Sequence, residues 1–169
     1  MEERAEYLVE TYADTILRLC RSYLREPSDA QDVCQTVFLK LLTEPRSFES
    51  PQHEKAYILK MAANACRDLL RSPWRRRGCP LEACAELPAP EREESGVWEA
   101  VSRLPPRYRA VIYLYYYEGY QAAEIGEILN IRVSTVKSHV SSVRSKLGVN
   151  RSSETRTAAK KLWLISEDQ

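Results

Sequence analysis

Gln121-Ala-Ala-Glu-Ile125-Gly-Glu-Ile-Leu-Asn130-Ile-Arg-Val-Ser-Thr135-Val-Lys-Ser-His-Val140-Ser-Ser-Val-Arg-Ser145-Lys-Leu147 contains two amphipathic helical patterns around a three-residue break, Asn130, Ile131 and Arg132. In the first half Ile125 and Leu129 stand four apart with Ile128 beside them, and Gly126 leaves room for a second helix to cross close by. In the second half Val136, Val140, Val143 and Leu147 recur at intervals of four, three and four, which is one buried stripe of an α-helix. Ser134 is placed to cap this helix through its hydroxyl, and Asn130 suits the left-handed backbone that a tight turn needs. The pair has the spacing of a DNA-reading helix-turn-helix.

The face turned away from that stripe carries Thr135, Lys137, Ser138, His139, Ser141, Ser142 and Arg144, all hydrogen-bond formers and none acidic. Between positions 130 and 163 eight Lys or Arg face a single acid, Glu154. Cations in that number release counterions from DNA and supply affinity, while Ser, Thr, Lys and His at base edges supply selectivity. A solvated basic helix in an ordinary bundle is the alternative, and the paired helices and turn weigh against it.

The chain has 169 residues, 44% hydrophobic and 29% charged, with a formal net charge of +1, which fits a globular protein of one or two small domains. The near-neutral total conceals an uneven distribution: residues 1–70 carry twelve acids and nine bases, whereas the C-terminal third is basic. Such a chain is suited to different partners at its two ends. No run of about twenty apolar residues suggests membrane insertion, and the first residues are acidic, unlike a secretory signal, so a cytoplasmic location is expected.

Five cysteines, an odd number, give no disulfide framework. Cys20, Cys34 and Cys66 fall on apolar helical faces as small hydrophobes, and Cys79 and Cys84 are followed by no second pair at zinc spacing. His53 and His139 do not make a site by themselves. There is no Gly-rich phosphate loop, no His-Glu metal motif and no serine elbow, so no enzyme, cofactor, metal or small-molecule substrate is expected.

Every convincing segment is helical, and the fold is expected to be all-α. A first helix covers about residues 3–24 on Leu8, Tyr12, Thr15, Ile16, Leu19 and Tyr23, before Pro27. A second begins with a capping box of Ser28 and Gln31, buries Val33, Cys34, Val37, Phe38 and Leu41, and exposes Asp32, Gln35, Thr36 and Leu39. A third starts at Ser50-Pro51, a cap followed by proline at the first helical position, and runs to about Arg71 on Tyr57, Ile58, Ala62, Ala65, Cys66 and Leu69. Lys60, Asn64, Arg67 and Arg71 form one polar stripe along it, leading to Trp74 among Arg75, Arg76 and Arg77. Cations around a ring suit a single-stranded nucleic acid, although a solubilising helix end fits the same composition.

Residues 78–96, with Pro80, Pro88 and Pro90 among five glutamates, read as a flexible acidic linker. Beyond it Val97, Val101 and Leu104 make a short helix, Pro105-Pro106 breaks it, and Tyr108, Val111, Ile112 and Tyr115 resume the pattern. The organisation expected is two small helical domains joined by that linker, the second containing the helix-turn-helix. Each is near the lower size limit for an independent core.

Three stretches in this order resemble a known family, the RNA polymerase sigma factors of the extracytoplasmic-function type. Residues 28–42, Ser28-Asp-Ala-Gln-Asp-Val-Cys-Gln-Thr-Val-Phe-Leu-Lys-Leu-Leu42, resemble its polymerase-binding helix. Residues 56–71, Ala56-Tyr-Ile-Leu-Lys-Met-Ala-Ala-Asn-Ala-Cys-Arg-Asp-Leu-Leu-Arg71, resemble its promoter-melting helix. Leu104-Pro-Pro-Arg-Tyr-Arg-Ala-Val-Ile112, Glu118-Gly-Tyr120 and Thr135-Val-Lys-Ser-His-Val140 resemble the domain that reads the upstream promoter element.

The resemblance implies a binding protein without bond chemistry, whose partners are core RNA polymerase, promoter DNA and an anti-sigma factor. It divides the chain into domain two (1–77), linker (78–96), domain four (97–149) and a C-terminal extension (150–169). It implies that Asp32, Gln35 and Phe38 serve polymerase docking, with Phe38 partly supporting the core. It places Lys60, Asn64, Arg67 and Arg71 on the downstream element and the separated strand. Thr135, Lys137 and Ser138 are assigned to the upstream element, with Arg144 nearer its phosphates.

The chain departs from the family pattern at Thr36, where an acid is common, and at His139 and Ser142, where arginines are common. Tyr113, Tyr115, Tyr116, Tyr117 and Tyr120 form an unusual cluster, read as packing with hydroxyls reaching water or as an anti-sigma docking surface. The tail, with Leu162, Trp163, Leu164 and Ile165, is a candidate extra helix over the second domain. The output domains of two-component and quorum-sensing regulators are also similar to Thr135-Val-Lys-Ser-His-Val140 with Lys146-Leu-Gly-Val149, but that reading leaves residues 1–77 without a role. A sigma-like adaptor that docks on polymerase without recruiting it to promoters is the remaining alternative.

Overall fold

The computed structural model describes residues 1–72 and 103–147, with side chains as far as Ser145. The expected linker, the arginines around Trp74, Cys79 and Cys84, the helix on Val97 and Val101, and the C-terminal extension lie outside the described residues. Among those described the elements are α1 (Glu2–Tyr23), α2 (Pro27–Thr43), α3 (Pro51–Arg71), α4 (Pro106–Ile112), a π-helical turn (Tyr113–Tyr117), α5 (Ala122–Leu129) and α6 (Val133–Leu147), with no strand.

The first three helices follow from their stripes. Leu8, Tyr12, Ile16, Leu19 and Tyr23 are buried along α1, which ends where Leu24 turns extended ahead of Pro27. In α2, Pro27 occupies the first helical position behind Glu26, and no side chain caps the helix. The Ser28–Gln31 capping box therefore does not form, because proline, with its preset φ and no N–H, starts the helix two residues earlier than a Ser28 cap would. In α3 the Ser50 hydroxyl accepts the His53 backbone N–H at 3.1 Å, as the Ser50-Pro51 pair predicts. Glu54 in the first turn of α3 is buried and accepts from Arg4, from the Tyr12 hydroxyl at 2.8 Å and from the Tyr7 hydroxyl at 3.0 Å. Burial alone would raise its carboxyl, but Arg4 and the two tyrosines outweigh it and hold Glu54 below the usual carboxylate range. Cys20 and Cys66 are buried, and contact with Cys66, then burial, pushes the Cys20 thiol up, so it is an inert core residue.

The second half does not stand apart from the first. α1 packs on α4 and on the π-helical turn, and α3 packs on α5. Polar links fasten this closed arrangement. Buried Arg109 of α4 donates through Nε to the Ser22 carbonyl at 2.7 Å and through Nη1 to the Leu104 carbonyl at 3.0 Å. Burial, with Arg25 nearby, pulls its guanidinium down to about 10. Lys55 of α3 pairs with Glu118 at 2.6 Å, and Glu118 also accepts the Tyr113 hydroxyl at 2.5 Å.

Candidate polymerase and nucleic-acid interfaces

The reading helix is positioned by a turn built from two residue choices. α5 opens with a capping box, in which the Glu124 carboxylate accepts the Gln121 N–H at 2.8 Å. It closes on Asn130 at φ 54°, ψ 50°, the left-handed conformation its sequence suits. The next N–H, of Ile131, donates back to the Gly126 carbonyl at 3.0 Å. A Cβ on Gly126 would lie 2.9 Å from the Ile131 carbonyl oxygen and 3.6 Å from Cγ2 of Val133, the first residue of α6, so this glycine admits both the backbone of the turn and the start of the second helix. α6 then begins at Val133, with Val136 N–H donating to the Arg132 carbonyl. Ser134 consequently sits inside the first turn, and the cap position falls to Arg132.

Val136, Val140 and Val143 are buried as their spacing requires. Lys137, Ser138, Ser141 and Ser142 are exposed, and Thr135 and Arg144 are half-buried. His139 is not on the reading face. It is 8% exposed and stacks on Tyr108 of α4 with ring centroids 3.8 Å apart. α6 packs against α4 as well as α5, which widens its covered face to include the position flanking the valine stripe. Burial, then Arg107, holds the imidazole below its ordinary value. Arg144 donates from Nε to the Tyr116 hydroxyl at 3.1 Å.

On α3, Lys60, Asn64 and Arg71 are exposed, as the stripe predicts. Arg67 is half-buried: it bonds the Asn64 side-chain oxygen and donates through Nη1 to the Leu129 carbonyl of α5 at 2.5 Å. The polar stripe of α3 is thus joined to the end of the first helix of the helix-turn-helix. On α2, Asp32, Gln35 and Thr36 are exposed, and Phe38 is half-buried against the core. Leu39 is 63% exposed beside Gln35, an apolar side chain expected on this face but assigned no role by the sequence. The links through Lys55, Arg109, Tyr116 and Glu118 were also missed. Glu118 and Arg109 were visible only as parts of motifs, Tyr116 only as a member of the tyrosine cluster, and Lys55 looked like an ordinary helical residue.

Among the described residues no helix is long and apolar enough to cross a membrane, and no group of three His, Cys, Asp or Glu is placed to hold a metal ion. An exposed, acid-free reading helix on a helix-turn-helix, with a second helical unit carrying its own polar stripe, defines a DNA-binding transcription protein. Family models agree in both halves: Sigma-70 region 2 matches residues 8–76 and Sigma-70 region 4 matches residues 96–147. ECF RNA polymerase sigma factor SigW of Bacillus subtilis (strain 168) is 28% identical over 158 residues, covering 83% of this chain and 84% of that protein. ECF RNA polymerase sigma factor SigM of Mycobacterium tuberculosis (strain H37Rv) is 29% identical over 133 residues, covering 77% of this chain and 68% of its own length. The fold is similar to that of the Bartonella quintana sigma factor RpoE, solved in complex with the anti-sigma factor NepR, with a TM-score of 0.67, 22% identity and coverage of 89% of this chain and 100% of that one.

The chain belongs to the RNA polymerase sigma-70 family, in its extracytoplasmic-function group. It binds core RNA polymerase and directs initiation at promoters. The region 2 match covers residues 8–76, a stretch that a regulator output domain leaves without a role.

Proposed function

We propose the following division of labour. Residues 1–77 dock on polymerase and capture the opened downstream element, residues 78–96 tether, residues 97–149 read the upstream element, and residues 150–169 are an extension. Asp32 and Gln35 make the polar polymerase contacts, with Phe38 supporting the helix and Leu39 adding an apolar anchor. Lys137 and Ser138 read base edges in the major groove, Thr135 lies beside them, and Arg144 meets a phosphate. Asn64 receives an unstacked base, while Lys60, Arg67 and Arg71 follow the separated strand. Unstacking a base costs a few kcal/mol, which capture by α3 offsets. The protein performs no bond chemistry and works in the cytoplasm, where its template and polymerase are. An anti-sigma factor is its inhibitory partner.

The observation that carries this reading is the exposure of Asp32, Gln35, Lys60, Asn64, Lys137 and Ser138 on three different helices of one molecule. Asp32 and Gln35 are accessible in the closed arrangement, so polymerase can dock before the halves separate. Arg67, held by the Leu129 carbonyl, reaches DNA only after α3 and α5 part. The test is capture of core polymerase by wild type, Asp32→Arg and Asn64→Ala, followed by permanganate reactivity of thymines on a promoter selected by the wild-type holoenzyme. Asp32→Arg is expected to lose capture, and Asn64→Ala to keep capture but lose reactive thymines. Wild-type capture by the first, or unchanged opening by the second, refutes the assignment.

A further inference from the structure

The tyrosine cluster divides by face. In the π-helical turn the Glu118 N–H donates to the Tyr113 carbonyl five residues back, at 3.1 Å. Such turns recur at functional sites because the extra residue redirects side chains. Tyr113 and Tyr117 stack on each other at 5.4 Å and face the first half of the chain, with the Tyr113 hydroxyl 3.4 Å from the Thr15 carbonyl and Arg18 over the Tyr117 ring. Tyr115 and Tyr116 face α6. Their rings meet edge to face at 4.8 Å, and Tyr116 is 1% exposed.

The Tyr116 hydroxyl accepts Arg144 Nε at 3.1 Å, and hydrogen bonds from the guanidinium to Tyr116, then to Tyr115, favour its charged form. Beside them opens a cleft of about 480 Å³, lined by Tyr115, Tyr120, Gln121, Lys137, Ser141 and Arg144. Lys137 and Ser141 belong to the exposed face of α6, so Arg144 stands at the edge of the reading surface. Nε lies at the stem of the guanidinium. A bond there, to the hydroxyl of a buried ring, fixes the plane whose terminal nitrogens form the fork that suits phosphate. A long arginine held in its binding geometry gives up less freedom when it binds.

We propose that Tyr116, braced by Tyr115, is a positioning residue for upstream-element recognition: it presents Arg144 to a DNA phosphate at the rim of the groove that α6 reads. This rests on the assignment of Arg144 to a phosphate made above.

The test uses the full chain assembled on core polymerase and a promoter duplex selected by the wild-type holoenzyme. Affinity is measured across a salt series for wild type, Arg144→Ala, Tyr116→Phe and the double variant. Arg144→Ala is expected to weaken binding and to lower the salt slope by about one. Tyr116→Phe, which retains every charge, is expected to weaken binding about fivefold and to move the slope toward that of Arg144→Ala. The double variant is expected to bind no worse than Arg144→Ala. Wild-type behaviour of Tyr116→Phe beside a weakened Arg144→Ala overturns the positioning role and leaves the phosphate assignment intact. Wild-type behaviour of Arg144→Ala overturns the phosphate assignment and the inference with it. An equal loss from Tyr116→Phe in the presence and absence of Arg144 makes the hydroxyl a purely structural group and overturns the inference alone.

Discussion

Lys55 and Glu118 lie 63 residues apart in sequence and meet at 2.6 Å across the contact between the two halves. The Lys55 side chain is 33% exposed and that of Glu118 8% exposed, so the pair is neither a surface bridge nor fully dry. Exposed pairs contribute about 0.2–1 kcal/mol, whereas breaking a fully buried pair costs about 3–5 kcal/mol. Solvent at Lys55 screens the attraction, and the Tyr113 hydroxyl continues to serve Glu118 when Lys55 is removed. A coupling of about 2 kcal/mol is the expected balance between those limits. The assay is a double-mutant cycle of Lys55→Met and Glu118→Gln, with stability taken from urea unfolding of the full chain. The coupling is the quantity to read, because each single change also alters its own surroundings. Separated halves in solution leave Lys55 and Glu118 with nothing to share, so a coupling below about 0.5 kcal/mol refutes the closed arrangement in the free protein.

Two further substitutions probe the helix-turn-helix. Gly126→Ala places a Cβ 2.9 Å from the Ile131 carbonyl oxygen, which is backbone and cannot rotate away, and is expected to destabilise by about 1–3 kcal/mol. A urea midpoint equal to wild type contradicts that. The imidazole of His139 is held below its ordinary value of 6.5, by burial and then by Arg107, so below that pH the unfolded chain binds more protons than the folded one. Stability therefore falls as pH drops below about 6.5 and levels off once the folded-state imidazole is itself protonated. His139→Phe keeps a ring on Tyr108 and is expected to flatten that decline in thermal melts between pH 7 and pH 5. An unchanged pH dependence in the variant refutes His139 as its source.

What the sequence made legible was whatever a single helix decides for itself. The stripes of α1, α3 and α6, the Ser50 cap and the left-handed Asn130 each depend on neighbours within one or two turns. The Ser28–Gln31 box failed locally, because Pro27 takes the first helical position and puts the cap position at Glu26, leaving Ser28 inside the first turn. His139 failed for a different reason: periodicity locates the apolar centre of a face but not how far a second helix covers its flanks. The links through Arg67, Lys55, Arg109 and Tyr113 join residues 62 to 98 positions apart, and no local pattern encodes such partners. The exposure of Asp32, Gln35, Lys60, Asn64, Lys137 and Ser138 was readable from the helical stripes. That Arg67 is held by the Leu129 carbonyl, and Arg144 by Tyr116, required the assembled molecule.

The central claim, polymerase recruitment through α2 and promoter reading through α6, is tested most directly by run-off transcription with purified core RNA polymerase on a promoter library. Wild type, Asp32→Arg and Lys137→Ala are compared, with polymerase capture measured alongside. The account predicts wild-type transcripts from a defined motif, loss of both capture and transcripts for Asp32→Arg, and retained capture with loss of upstream-dependent transcripts for Lys137→Ala. Promoter-specific transcription by both variants at wild-type levels contradicts it.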